Sequence, residues 1–389
     1  MLRDYLANRV VYSCAATCLV AGLLMGQYSA AFAQEAIENK ALELYGTDAE
    51  LSKYWTPERL RNAKPMPLPA QSQNSEINRD RDEEETKPSA TQTPASGEGK
   101  PPSEAIRSEK GQKLFAPDKS SAIDSSTQPV PQDVGNGGAY FTSSQLVPLS
   151  ADAFYPYSTV GKFFFTKPGV GDFVCSASVL RPRVILTAGH CIHSGNGSVQ
   201  GYYQNFLFVP SYNNGFAPYG VWNWAYANTT SSWYFGGGSF PNAADFAMLQ
   251  AADNPAFGTL TLGSITGYLG YQTLSLLPNH AISLGYPGTF DSGLLMHQVT
   301  SGSYRTNVPN SVEYGSDMTG GSSGGPWIQN FGFSSSGQFG GLNAGRNRVI
   351  GVTSYGYVDP TILLQGSSVP DSQFLDLLNN VCLNRPGNC

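Results

Sequence analysis

Charge is scarce where most of the chain lies. Residues 131–389 hold 8 Lys/Arg and 11 Asp/Glu, so only 19 of 259 positions are charged. The whole chain carries 23 basic and 29 acidic residues, net −6. With no basic excess to displace counterions, general binding to nucleic acid is excluded. Histidines number four, at 190, 193, 280 and 297. His190-Cys191-x-His193 has no second Cys/His pair at zinc spacing, so no metal site is expected, and no organic cofactor motif is present. After residue 26 no apolar run is long enough to cross a bilayer. No repeat of fixed period is visible. What is abundant is Gly (43), Pro (26) and aromatic residues (12%), which argues against a coiled coil and for many short strands joined by turns.

The N-terminus reads as an export signal. Arg3 and Arg9 lead into the small, apolar run Val10 to Gly26, followed by Ala31-Phe32-Ala33, an A-x-A site before Gln34. Residues 1–33 are therefore expected to be removed and the product secreted, to the periplasm or the medium, with no remaining membrane anchor. Cys14 and Cys18 leave with the signal. Four cysteines remain, which an oxidising compartment can pair in three ways, and the sequence-local choice is Cys175 with Cys191 and Cys382 with Cys389.

Residues 34–135 form a second region. Of residues 34–130, 13 are basic and 17 acidic, with abundant Pro, Ser and Thr and the run Asp82-Glu83-Glu84-Glu85. Such a segment buries too little apolar surface to offset chain entropy. Residues 35–62 allow a helix or two, and residues 63–130 read as a disordered pro-segment or linker.

From 136 the pattern turns to strands. One group comprises Thr159–Phe165, Phe173–Leu180, Val184–Thr187, Phe206–Val209, Val221–Ala227 and Phe246–Leu249. A second comprises Ala281–Gly285, Leu294–Tyr304, Ser311–Tyr314, Pro326–Gln329 and Val349–Tyr355. Each is rich in Val, Ile, Phe or Tyr and bounded by Gly, Pro, Asn or Ser, as in sandwiches and barrels. One helix is expected over about 369–382, with Pro370 and Asp371 in its first turn and an apolar stripe of Phe374, Leu377, Leu378 and Val381. The fold class is all-β with a C-terminal helix.

Three short stretches carry chemistry. A serine hydroxyl needs a base in reach, the base needs an orienting carboxylate, and the developing oxyanion needs backbone N–H donors. Ser323 lies in Gly320-Gly321-Ser322-Ser323-Gly324-Gly325-Pro326, where glycines let successive N–H groups point at one spot. His190 closes a β-branched strand in Leu186-Thr187-Ala188-Gly189-His190-Cys191. Asp245 opens the apolar run Asp245-Phe246-Ala247-Met248-Leu249, a costly place for a carboxylate unless it is hydrogen-bonded. Asp253 and Asp291 sit in Asn/Pro/Gly contexts that read as turns.

Together these stretches resemble the chymotrypsin/trypsin-like serine proteases, in that family's chain order His, Asp, Ser, over roughly residues 150–385. The resemblance implies two antiparallel β-barrels, about 154–255 and 270–366, with the active site between them. It implies that Ser323 attacks the scissile carbonyl, His190 shuttles its proton, Asp245 holds the imidazole, and the N–H groups of Gly321 and Ser323 form the oxyanion hole. Cys175–Cys191 matches the family's bridge at the histidine loop. Ser354-Tyr355-Gly356 matches the segment that pairs with substrate backbone.

Some positions depart from trypsin. Ser322 replaces the aspartate that meets a newly freed amine, and Ser158-Thr159-Val160-Gly161 does not look like an activation terminus, so the chain resembles the bacterial glutamyl endopeptidase-like branch. Asp317, six residues before Ser323, stands where trypsin binds Arg or Lys. Thr353 replaces the histidine that glutamyl relatives place before the substrate segment, and a preference for Arg/Lys follows. The expectation is a monomeric secreted serine endopeptidase acting on proteins or peptides. The competing readings are a catalytically inactive homologue or an aromatic-rich carbohydrate-binding module using Trp222-Asn223-Trp224-Ala225-Tyr226, and an esterase, against which the lack of a G-x-S-x-G elbow speaks.

Overall fold

In a computed structural model the described residues are 53–71, 93–103, 111–116, 134–135, 138–146, 148–242, 244–275, 279–307, 310–332, 345–357, 359 and 361–389. The export signal expected at 1–33 lies outside them. No helix among the described residues is long and apolar enough to cross a membrane.

Twelve strands make two closed six-stranded antiparallel barrels. The first contains β1 (Val160–Lys167), β2 (Gly171–Arg181), β3 (Val184–Thr187), β4 (Gln204–Pro210), β5 (Trp222–Thr229) and β6 (Ala247–Ala251). Its ring runs β1-β4-β5-β6-β3-β2 and closes β2 onto β1. The second contains β7 (His280–Gly285), β8 (His297–Asn307), β9 (Ser311–Gly315), β10 (Pro326–Gln329), β11 (Arg348–Tyr357) and β12 (Leu364–Ser368). Its ring, β7-β10-β11-β12-β9-β8, repeats the first strand for strand. This is the all-β, two-barrel architecture that the family resemblance implied.

β3 and β10 keep their expected bounds, and the other recognised strands shift by a few residues at their ends. β12 was not foreseen. Its sequence, Leu-Gln-Gly-Ser-Ser, is polar and glycine-rich, yet all five residues are buried because β9 and β11 flank them. The helix α1 spans Ser372–Asn384 and starts later than the expected 369. Asp371 is its N-cap rather than a first-turn residue, its carboxylate accepting from the Gln373 and Phe374 N–H groups. The stripe Phe374, Leu377, Leu378 and Val381 is buried as expected. Phe374 meets Phe246 edge-on at 5.5 Å, and Asn384 donates to Gln250, so the end of the chain packs back on barrel 1.

The region before the barrels departs from expectation. Residues 64–71 were assigned to a solvated segment, but they lie on the protein. After a short helix, Pro57–Asn62, Lys64–Pro65 pair in parallel with Phe173–Val174 of β2. Ala70–Gln71 then pair in parallel with Gly356–Tyr357 of β11. Composition missed this because the contact is made largely by backbone, which side-chain hydrophobicity does not report.

Candidate active site

His190 follows β3 on a single tight turn, Gly189–Cys191, and Asp245 precedes β6, which pairs with β3. Adjacent strands thus bring together residues 55 apart in sequence. Asp245 is fully buried. One oxygen accepts from the His190 backbone N–H at 2.9 Å; the other accepts from the His190 ring, Nδ1 to Oδ2, at 2.7 Å and from Ser354 Oγ at 2.6 Å. These donors offset the cost of burying a charge. With Nδ1 committed to the carboxylate, Nε2 remains as the ring's second nitrogen, and it has no hydrogen-bond partner among the described residues. Trp233 and Phe240 flank the ring at 6.1 and 5.8 Å.

Ser323 sits on the turn that enters β10, and its Oγ also has no hydrogen-bond partner among the described residues. Gly321 has φ +94°, and a Cβ there would lie 2.5 Å from the Tyr286 carbonyl, so the turn needs glycine. Gly324, at φ +79°, leaves a gap in which a Cβ would strike Thr187 Oγ1 at 2.1 Å and the Ala188 nitrogen at 2.9 Å. The serine turn therefore rests directly against the residues that lead into His190. Ser176 on β2 ties the barrels here: its N–H donates to the Ser323 carbonyl at 2.7 Å. Its hydroxyl donates to the Gly321 carbonyl and accepts from the Tyr286 N–H, both at 2.9 Å.

Ser322, where trypsin has an aspartate, donates to the Thr319 carbonyl at 2.7 Å and accepts from Gln365 Nε2 at 2.9 Å. Gln365 in turn accepts from Ser316. The turn is braced by neutral hydrogen bonds within barrel 2. The Gly321 N–H, one of the two expected oxyanion donors, donates to the carbonyl of Met66 at 3.0 Å.

The other anticipated residues divide. Asp317 is half-buried on the link between β9 and the serine turn. Thr353 exchanges backbone hydrogen bonds with Gly324 and Gly325 at 2.9 Å, placing it behind the serine. Ser354 turns its side chain to Asp245. Tyr355 points into barrel 2, its hydroxyl donating to Glu313 at 2.8 Å, and the Gly356 N–H donates to the Pro69 carbonyl at 3.1 Å. Asp253 and Asp291 lie elsewhere, the first paired with Arg183 and Arg385, the second accepting from Gln145. Cys175–Cys191 and Cys382–Cys389 are disulfide-bonded. The first pair lies near His190, but sulfurs bonded to each other offer no thiolate to a metal.

Residues 173–332 match the family model described as a trypsin-like peptidase domain. That stretch is similar to trypsin-like peptidase domains. Similar solved structures include the thermostable serine protease AL20 from an extremophilic microorganism, 25% identical over 60% of this chain and 100% of its own, TM-score 0.49. The protease Anisep from Arthrobacter nicotinovorans is 27% identical over 61% of this chain and 98% of its own, TM-score 0.49. A Glu endopeptidase is 21% identical over 64% of this chain and 98% of its own, TM-score 0.47. No curated protein matches the chain.

Sequence reading missed three supports of the two barrels. Ser176, Gln365 and Glu313 stand in ordinary strand contexts with no motif around them. Only the adjacency of Ser176 to Cys175 offered a signal. Glu313, fully buried on β9, accepts from Tyr355, Tyr357, Arg305 and Asn307. Burial, and the Glu313 carboxylate beside it, push the Tyr355 hydroxyl well above its ordinary pKa.

Proposed function

We propose that this chain is a secreted serine endopeptidase working through His190, Asp245 and Ser323. Ser323 Oγ attacks the scissile carbonyl carbon while His190 Nε2 takes its proton. The oxyanion is held by the N–H groups of Gly321 and Ser323. Collapse of the tetrahedral intermediate expels the amine, which takes the proton from His190, and leaves an acyl-enzyme. Water, deprotonated by the same imidazole, then releases the acid. Asp245 fixes the ring so that Nε2 is the working nitrogen. The observation that carries this reading is the 2.7 Å contact from His190 Nδ1 to a fully buried carboxylate, with Nε2 and Ser323 Oγ both unpartnered on abutting turns.

In this reading residues 1–33 are the export signal, 34–135 a pro-segment or linker, and 136–389 a monomeric protease domain that needs no cofactor. Two disulfides accord with an oxidising compartment. The preference is for Arg or Lys before the scissile bond, Asp317 supplying the negative charge. Ser323→Ala is expected to lower turnover of a peptide ester by about 10³–10⁶-fold with folding intact. A fluorophosphonate should label Ser323 and no other residue. Undiminished turnover in Ser323→Ala overturns the assignment. Peptide-library cleavage without enrichment for basic residues removes the specificity alone.

A further inference from the structure

We infer that residues 64–71 are a resident inhibitor of the cleft, a strap that fills the substrate edge and the oxyanion pocket of this same chain. The inference rests on the serine peptidase reading.

The strap crosses from one barrel to the other. Upstream it is anchored on barrel 1. Trp55 is buried edge-on against Phe164 at 5.6 Å and donates from its indole to the Asn205 carbonyl at 2.7 Å, and Arg59 pairs with Asp172 at 2.7 Å. The Met66 N–H then donates to the Val174 carbonyl at 2.9 Å, while its carbonyl accepts from Gly321 at 3.0 Å. Three residues on, the Pro69 carbonyl takes the Gly356 N–H, and Ala70–Gln71 add a strand to β11.

Both polar features that a substrate backbone would use are thereby occupied by this chain's own carbonyls. The sequence Lys64-Pro65-Met66-Pro67-Leu68-Pro69 suits the task. Alternate prolines fix φ, keep the segment extended before it docks, and lower the entropy lost on docking. Burial agrees: Ser323 is 0% exposed and His190 3%, and Met66 and Pro65 of the strap lie against Gly320 and Gly321 beside the serine. In this inference the bond between Met66 and Pro67 stays uncleaved while the strap is seated.

The full chain, residues 34–389, is the test material, read by the rate of fluorophosphonate labelling at Ser323. Met66→Pro removes the N–H bonded to Val174, and Trp55→Ala loosens the anchor away from the cleft. Each is expected to speed labelling at least about tenfold. A Cβ at Gly356 would lie 3.6 Å from that of Leu68, within disulfide span. Leu68→Cys with Gly356→Cys, oxidised on the Trp55→Ala background, should therefore restore slow labelling, where Leu68→Cys alone does not. Equal labelling of the full chain and all variants overturns the strap, as does mass-spectrometric cleavage at Met66–Pro67. Absence of Ser323 labelling in every folded form, the strap-loosened ones included, overturns the peptidase reading instead.

Discussion

The two barrels share one strand order and differ in what they enclose. Barrel 1 is filled by rings: Phe163 stacks on Phe206 at 5.6 Å, Phe165 on Tyr203 at 5.3 Å, and Trp224 meets Phe206 edge-on at 5.1 Å. Barrel 2 has an apolar centre, with Tyr314 stacked on Trp327 at 4.1 Å, and beside it the buried Glu313 with its four donors. Backbone closure sets the topology in both, so the interiors are free to serve different ends. Barrel 1 makes a dry, stiff wall that fixes His190 and Asp245. Barrel 2 pins Tyr355 and Tyr357 from behind and so steadies the edge on which a peptide would lie.

Apart from Asp245, each barrel buries a further ionisable side chain. Glu313 is answered by Arg305 at 2.6 Å and by tyrosine hydroxyls. Lys162 in barrel 1 donates to the Gly293 carbonyl at 2.7 Å and faces the rings of Tyr212 and Phe164, and no carboxylate answers it among the described residues. Burial lowers its pKa to about 7. Removing one partner of a buried pair leaves the other uncompensated, whereas an unpaired buried charge already carries its desolvation cost.

Substitutions that strip one barrel of its part sharpen this contrast. The largest effect is expected from Asp245→Asn, which leaves the geometry but favours the wrong imidazole tautomer; turnover should fall about 10⁴-fold with unchanged circular dichroism. Next, Glu313→Leu removes the acceptor shared by Arg305, Asn307 and two tyrosine hydroxyls, and chemical denaturation should register a loss of roughly 3 kcal/mol. Lys162→Met should act in the opposite direction. Between pH 7 and 10.5 the unfolded chain holds this proton and the folded one does not, so stability rises with pH through that window and is lowest below it. The Met variant should flatten that slope and gain roughly 2 kcal/mol at pH 6, read from urea midpoints at pH 6 and 9. A loss at pH 6 would show that the lysine stabilises its barrel after all. The smallest effect belongs to Ser354→Ala, barrel 2's one bond to the Asp245 carboxylate, at about tenfold in turnover. Should it match Asp245→Asn, the division of labour between barrels fails.

Most barrel strands were legible because β-branched and aromatic runs alternate with turn residues, and β3 and β10 were read to the residue. β12 was not, since Gln365, Ser367 and Ser368 are polar residues buried by their strand partners. At the site, Ser323, His190 and Asp245 announced themselves through short motifs. Ser176 and Gln365 had none: a single polar side chain becomes a brace only when folding sets an acceptor opposite it.

Sequence by itself determined the parts: glycines where the serine turn needs positive φ, a carboxylate opening an apolar strand, cysteines flanking the histidine loop, and prolines stiffening residues 64–69. Those are local properties, carried by backbone freedom and side-chain chemistry. The tertiary structure alone decided which parts meet, because hydrogen bonds such as Ser354 to Asp245 and Gly321 to Met66 join residues 109 and 255 positions apart. Contacts at that separation depend on barrel closure, and no local pattern encodes them.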